Sequence, residues 1–451
     1  MSSGNHRMQH DQPSVDLRRE LSLLDSTMVN VGTMIGSAIF IVPATIALHV
    51  QSSLLTVLVW VAGGLVSLLG ALSVAELSAA MPKAGGQYVY LQKAYGPLWG
   101  FLYGWTAFVV INTASIAAIA VGFATYLGYF LSLDPSGIKA AAIVSILALT
   151  TLNCFGLKLG AWTQDVLTIL KMGALFALPV LSFVLPGGAA ANFSPVLPEQ
   201  SLMNLMGPLS LAMVAALWGY DGWIEITYVA GEVKDPERNL PRSIIHSTLI
   251  VTLLYTLVSL ACVYVLSVPR MAQSSLVASD VATVILGSGG AALIAAAILV
   301  STLGSNNGIV FTSARIPYAM AREGLFFKSL GSVSERFRTP LLALVIQAVL
   351  ACLFTLTGTY DQLYTYVVFA SWLFYAMSCG AVLILRRTAP ELPRPYKTWG
   401  YPVVPLLFIL FAMALVGYTI IEDPLSAGIG LGIIVAGAPA YLYWKAGRRI
   451  P

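Results

Sequence analysis

Long apolar runs separated by short polar breaks fill almost the whole chain after residue 25. A helix rises 1.5 Å per residue and needs about 20 apolar residues to cross the hydrocarbon core of a bilayer. By that rule the runs resolve into about twelve spans. Their limits fall near 26–48, 54–80, 97–130, 138–157, 161–185, 203–231, 241–268, 280–320, 340–358, 362–386, 401–421 and 425–446. The expected fold class is therefore an all-α membrane protein. Two runs are interrupted. The first breaks at Gly32–Ser37, inside VGTMIGSAIF, and the sixth at Trp218–Glu225, WGYDGWIE. Gly32 and Gly36 have the four-residue spacing of a helix-packing face, but with Thr33 and Ser37 they also form a segment able to leave the helix. Four spans separate the two breaks, so they occupy corresponding places in two five-span halves. Paired glycine-interrupted spans point to an inverted repeat with a binding site at its centre. The expected organisation is a tail at 1–25, a first repeat at 26–185, a second at 203–386, two extra spans within 401–446 and a short tail at 447–451.

Composition agrees with lipid as the solvent. The 451 residues are 58% hydrophobic and only 10% charged, with a mean hydropathy of +0.82, against about 25% charged in soluble domains. The first 25 residues are polar and lack the apolar core and cleavage site of a signal peptide, so the first span is expected to stay in the mature protein. Of the 24 Lys and Arg, all but Lys139, Arg270 and Lys171 fall in the two tails and the even-numbered loops. This positive-inside bias predicts cytoplasmic termini and an even number of spans. It also accounts for the net charge of +4, which gives no support for nucleic-acid binding. Cys154, Cys262, Cys352 and Cys379 lie in or at the ends of apolar runs, without metal-ligand spacing or a disulfide framework. Neither a metal nor a cofactor is expected. There is no phosphate-binding loop, dinucleotide fingerprint or nucleophile–base constellation, so the chain does not read as an enzyme.

Unwinding inside a bilayer is costly. Each orphaned backbone group costs several kcal/mol, roughly, unless it faces protein, water or a ligand. A half-helix N-terminus offers N–H groups and partial positive charge to a carboxylate. The opposite ends offer carbonyls to an ammonium or cation. A zwitterionic amino acid matches both.

Lys171 lies about ten residues into the fifth run, roughly 15 Å from its start. Gln164, Thr168 and Lys171 share one helical face. Two roles fit the lysine: an anchor snorkelling to the surface, or an internal cation held by carbonyls and hydroxyls. The second is preferred, because ionisable groups inside membranes usually serve function. Asp221 fits either an N-cap of the second half-helix or a ligand contact. Glu225 has no evident structural task; pairing with Lys171 and uptake of a proton both fit it. Trp218, at the edge of the break, fits a gate or a core aromatic. Ser301, Thr302, Ser305, Asn306 and Asn307 form a polar cluster beyond what helix association requires. Glu76 reads as a boundary charge.

GTMIGSAIF (Gly32–Phe40), WGYDGW (Trp218–Trp223), GEVKDPERNLPRSI (Gly231–Ile244) and GSNNGIVFTSARIPYAMAREG (Gly304–Gly324) together resemble the amino acid–polyamine–organocation superfamily, within it the L-type amino acid transporter group and its bacterial relatives. The resemblance covers the first ten spans. It implies a LeuT-type fold of two inverted five-span repeats, with discontinuous spans one and six and alternating access. It implies that backbone at Thr33, Met34, Gly36 and Ser37 receives the substrate carboxylate, and backbone at Trp218, Gly219 and Tyr220 its amino group. Trp218 falls on the family's gate aromatic. Lys171 falls on a lysine that takes the place of a sodium ion and bridges the first broken span, at Gly32, to the eighth; Ser301 and Ser305 match the eighth-span hydroxyls. Sodium-independent transport, often exchange, is implied.

The chain departs from the family pattern at Ala38, where a glycine is usual, and at Glu225, where relatives carry a neutral residue near the substrate side chain. The loop Leu131–Lys139 has no cysteine, so no disulfide-linked heavy chain is expected. The expected partners are a small amino acid and the lipid bilayer, in a bacterial inner membrane; the sequence carries no signal for oligomeric state. The leading expectation is a sodium-independent amino acid exchanger. A proton-coupled symporter is the near alternative, and a channel or a non-transporting receptor the alternative of a different class. A channel would call for rings of like polar residues, which the chain lacks.

Overall fold

The structure, a computed structural model, describes residues 17–198, 201–357 and 360–447. Most of the tails read from the sequence, at 1–16 and 448–451, lie outside the described residues. The helices in chain order are α1 (Leu23–Met34), α2 (Ala38–Val50), α3 (Ser53–Ala80), α4 (Gln87–Tyr95), α5 (Pro97–Thr106), α6 (Asn112–Leu131), α7 (Pro135–Cys154), α8 (Leu157–Val184), α9 (Leu202–Gly219), α10 (Pro236–Val265), α11 (Val268–Ala272), α12 (Val277–Leu286), α13 (Gly289–Ser313), α14 (Arg315–Arg322), α15 (Leu341–Thr357), α16 (Tyr360–Thr388), α17 (Val403–Glu422) and α18 (Pro424–Gly447). No strand occurs among the described residues, only two isolated bridges. Nine of the helical stretches there are long and apolar enough to cross a membrane, or ten when α1 and α2, bent by 45°, count as one broken span. Asn204–Gly219 and Leu341–Thr357 are shorter apolar helices at two further expected spans.

Local chemistry sets the ends. Ser22 and Asp25 close a capping box at the start of α1, with Ser22 N–H donating to Asp25 Oδ2 at 2.6 Å and Asp25 N–H to Ser22 Oγ at 3.3 Å. Asp134 caps α7 through Gly137 N–H, and Pro135 occupies its first turn. The run expected as one span at 280–320 is divided: α12 ends at Gly287, with φ +74°, and α13 starts at Gly289. The sequence Gly-Ser-Gly-Gly at 287–290 supplies a backbone free to turn where apolarity alone suggested continuity. The third expected span is helical but not uniformly α: Ala107–Ile111 forms a π-helical turn between α5 and α6.

Polar side chains sit inside the bundle beside the apolar core, while large apolar ones are exposed on its outside. Leu410 is 69% exposed whereas Asn307 and Thr168 are 0% exposed. The centre of the bundle forms where α1 packs against α8, α10 and α13. Asn153 of α7 donates to Asn307 Oδ1 at 2.8 Å, and Asn307 donates to Gln164 Oε1 of α8 at 2.9 Å. Each polar side chain in this ladder finds its partner on a neighbouring helix.

At one end of the bundle two buried ion pairs cross between elements. Arg315 grips Glu232 bidentately, at 2.7 and 3.1 Å. Glu76, expected as a boundary charge, is buried; it accepts from Arg386 at 2.9 and 2.7 Å and from Thr398 N–H at 2.7 Å, with Arg394 at 3.3 Å. Next to the first pair, Glu20 and Leu21 N–H both donate to Glu232 O, and Lys234 N–H donates to Leu21 O. The chain leading into α1 is thereby fastened to the segment after the second break.

Candidate functional site

The two interrupted runs face each other. α1 stops at Met34, Ile35 turns to an extended conformation, and α2 resumes at Ala38. α9 stops at Gly219, turns occupy 220–224, and a 3₁₀ helix covers Glu225–Glu232. Gly222 has φ +105°, and a Cβ there would lie 3.0 Å from the Thr33 side chain, so backbone freedom and close approach both require glycine. Three side chains stitch the breaks together. Thr33 donates to Gly222 O at 3.1 Å. Asn30 donates to Trp223 O at 2.9 Å and accepts from Ile226 N–H at 2.8 Å. Tyr255 of α10 places its hydroxyl 3.0 Å from both Met34 O and Gly219 O. Unwound backbone is thus satisfied by protein where it does not face the cavity.

Lys171 is 1% exposed and makes no ion pair among the described residues. Its Nζ donates to Gly32 O at 2.7 Å, Ile35 O at 2.8 Å and Ser301 O at 2.9 Å. Three carbonyls saturate the three N–H donors of an ammonium. Ser301 donates to the carbonyls of Ile35 or Gly36, at 3.1 and 2.9 Å, and Ser305 to Thr33 O at 2.9 Å. Gly304 lets the lysine pass, since a Cβ there would sit 2.8 Å from Lys171 Cε. A snorkelling anchor is excluded by this burial, and so is a Lys171–Glu225 pair: Glu225 Oε2 accepts from the Thr312 hydroxyl instead.

A cavity opens between the breaks. Thr33, Met34, Gly36, Ser37, Ala38, Trp218, Glu225 and Ser305, all expected at the site, line it. Lys171, Gly32 and Ser301 lie behind the first break, and Gly219 and Tyr220 behind the second. The Tyr220 ring packs on Trp60 and Tyr255, and its hydroxyl donates to Trp60 O at 2.8 Å. Asp221 does not cap the following helix; it lines the cavity and accepts from Tyr375 of α16 at 2.6 Å.

The remaining lining was not legible from the sequence. Tyr103 and Tyr228 hydroxyls lie 2.9 Å apart and converge on Gln87 Oε1, at 2.9 and 3.1 Å, forming one wall. Asn112, just after the π-helical turn, lines another, as does Ser371. Only Asn112 carried a signal, a carboxamide in an apolar run; the extra residue of a π-turn changes which side chains face inward. Chemically, the cavity offers first-turn N–H groups of α2, carbonyls of the second break and a polar far end. It contains no nucleophile–base pair.

The chain is 34% identical over 435 residues to the serine/threonine exchanger SteT of Bacillus subtilis, covering 95% of this chain and 97% of that protein. It is 33% identical to the b(0,+)-type amino acid transporter 1 of Homo sapiens, over 92% of this chain and 86% of the relative. It is 32% identical to the large neutral amino acids transporter small subunit 2 of Homo sapiens, over 96% and 82%. The family and these relatives are transporters and not enzymes. With the amino acid permease pattern matching residues 21–436, the chain belongs to the amino acid permease family of the amino acid–polyamine–organocation superfamily, a multi-pass integral membrane transporter family.

Proposed function

We propose that the protein is a sodium-independent amino acid transporter, working as an exchanger by alternating access. The observation that carries the reading is the pair of facing breaks around one cavity, with Lys171 bonded to Gly32, Ile35 and Ser301 behind the first. The backbone at Thr33, Met34, Gly36, Ser37 and Ala38 takes the substrate carboxylate, aided by the N-terminus of α2. The carbonyls at Trp218, Gly219 and Tyr220 take the ammonium. Trp218, partly buried at the cavity wall, serves as the gate. Lys171 supplies the positive charge that a bound sodium ion would otherwise bring, and Ser301 and Ser305 complete its setting.

In this reading the chain has twelve spans in a LeuT-type arrangement. One five-span repeat covers 26–185, a second covers 203–386, and two spans follow. Both termini face the cytoplasm of a bacterial cell, and the protein acts without a disulfide-linked heavy chain. The names of the relatives, serine/threonine exchanger among them, support amino acids as the substrate class.

Proteoliposomes test the exchange mode. Uptake of a labelled amino acid is expected to be at least several-fold faster into vesicles preloaded with unlabelled amino acid than into empty ones. Equal uptake into both, driven by an inward proton gradient, would favour the symport alternative, which Glu225 in the cavity keeps open.

A further inference from the structure

Asp221 and Glu225 bring two carboxylates to the far end of one buried cavity, within electrostatic reach of each other. Each has one oxygen engaged by a neutral hydroxyl, Tyr375 on Asp221 and Thr312 on Glu225. Among the described residues, no Lys, Arg or His lines the cavity. Lys171 is committed to three carbonyls on the other side of α1, and Arg315 to Glu232. Two further groups point to a ligand here. Asn112 Nδ2 and Ser371 Oγ both line the cavity on residues only 3% exposed, and neither has a protein partner. A buried, unpaired polar group of this kind costs about 1–3 kcal/mol unless a ligand satisfies it.

Resting on the transport reading, we propose that Asp221 and Glu225, flanked by Asn112, form a side-chain subsite that holds either a proton or the cationic side chain of an amino acid, but not both. The reason is charge balance. Inside a membrane an uncompensated charge is expensive, so one of the two carboxylates needs a positive partner. An ammonium or guanidinium at the end of the substrate side chain supplies it and displaces the proton to solvent. A neutral amino acid leaves the proton in place. The same cavity thereby takes both classes, with a net proton count that depends on the substrate.

Among the described residues, the other titratable groups lining this cavity are phenols: Tyr103 from α5, Tyr228 beside Glu225 and Tyr375 from α16. Phenols ordinarily titrate at about 10. α1 between residues 26 and 34, and α13, bring no titratable side chain, and α14 carries Arg315, paired with Glu232, together with Tyr318 and Arg322, none of which lines the cavity. Glu225 and Asp221 are therefore the carboxyl groups available to exchange a proton in this subsite, and the test covers pH 5.5 to 8.5.

The test is calorimetric binding of lysine and of leucine to the purified full chain, in pairs of buffers with different ionisation enthalpies, across that pH range. Lysine is expected to release about one proton and to bind about tenfold more tightly per pH unit where the subsite is protonated. Leucine is expected to release none. Glu225→Gln should abolish the proton release and weaken lysine binding at least tenfold, with Asp221→Asn as a second, independent variant. The thermal unfolding of each variant without ligand reports whether it is folded. Lysine binding without proton release, unchanged proton release in both folded variants, or binding of leucine but not lysine would overturn the proposal while leaving transport intact. Binding of neither, with no uptake of any amino acid by proteoliposomes, would overturn both.

Discussion

Single residues decide whether the first break glues helices or opens them, and the two glycines divide the work. A Cβ on Gly32 would lie 1.9 Å from Gln164 Nε2 and 2.4 Å from Thr168 Oγ1, whereas a Cβ on Gly36 would meet only Ser305 Oγ, at 3.7 Å. Gly32 is thus the packing position and Gly36 the open one. Gly32→Ala is predicted to cost about 1–3 kcal/mol through overpacking, seen as a lowered Tm of the purified protein. Gly36→Ala should leave Tm nearly unchanged but reduce uptake, because its methyl enters the cavity. A large Tm loss for Gly36→Ala would contradict this division. Lys171 was conspicuous in the sequence because a lone charge in an apolar run has few bland explanations. Asn30 and Tyr255, which tie the breaks together, were not, because a polar or aromatic residue in a span fits many roles until its partners are known. Asn30→Ala should cost about 1–3 kcal/mol by leaving Ile226 N–H without its acceptor, again read as Tm.

Among elements, the link that holds the 3₁₀ segment Glu225–Glu232 to α14 is the buried Glu232–Arg315 pair, both side chains at most 1% exposed. Removing one partner leaves the other charge buried. Arg315→Met is therefore predicted to destabilise by about 3–5 kcal/mol, and the double variant with Glu232→Gln to recover most of the loss. Thermal unfolding of the two variants side by side checks this; equal destabilisation in both would contradict it. Helix existence and the two breaks were readable from apolar runs and glycines. The π-helical turn at Ala107–Ile111 and the division at Gly287–Gly289 were not. Both depend on backbone geometry that hydrophobic periodicity does not encode, and the first of them turns Asn112 toward the cavity.

At the scale of the whole molecule, the bundle buries polar groups beside its apolar core, exposes many further apolar side chains, and gathers two unwound segments around one cavity. The near end of that cavity was legible because it is lined by the glycine-marked breaks. The far end was legible at Glu225 and, as one of two readings, at Asp221, but not at Gln87, Tyr103, Ser371 and Tyr375, which reach it from elements distant in sequence. The central proposal is that Lys171 supplies the positive charge that a bound sodium ion would otherwise bring. Its most direct test is the rate of amino acid exchange in proteoliposomes with sodium present and with sodium replaced by choline, for the wild type and for Lys171→Ala. The predicted result is equal wild-type rates in the two media and at least a tenfold loss in Lys171→Ala. Wild-type uptake that requires a sodium gradient would contradict the account.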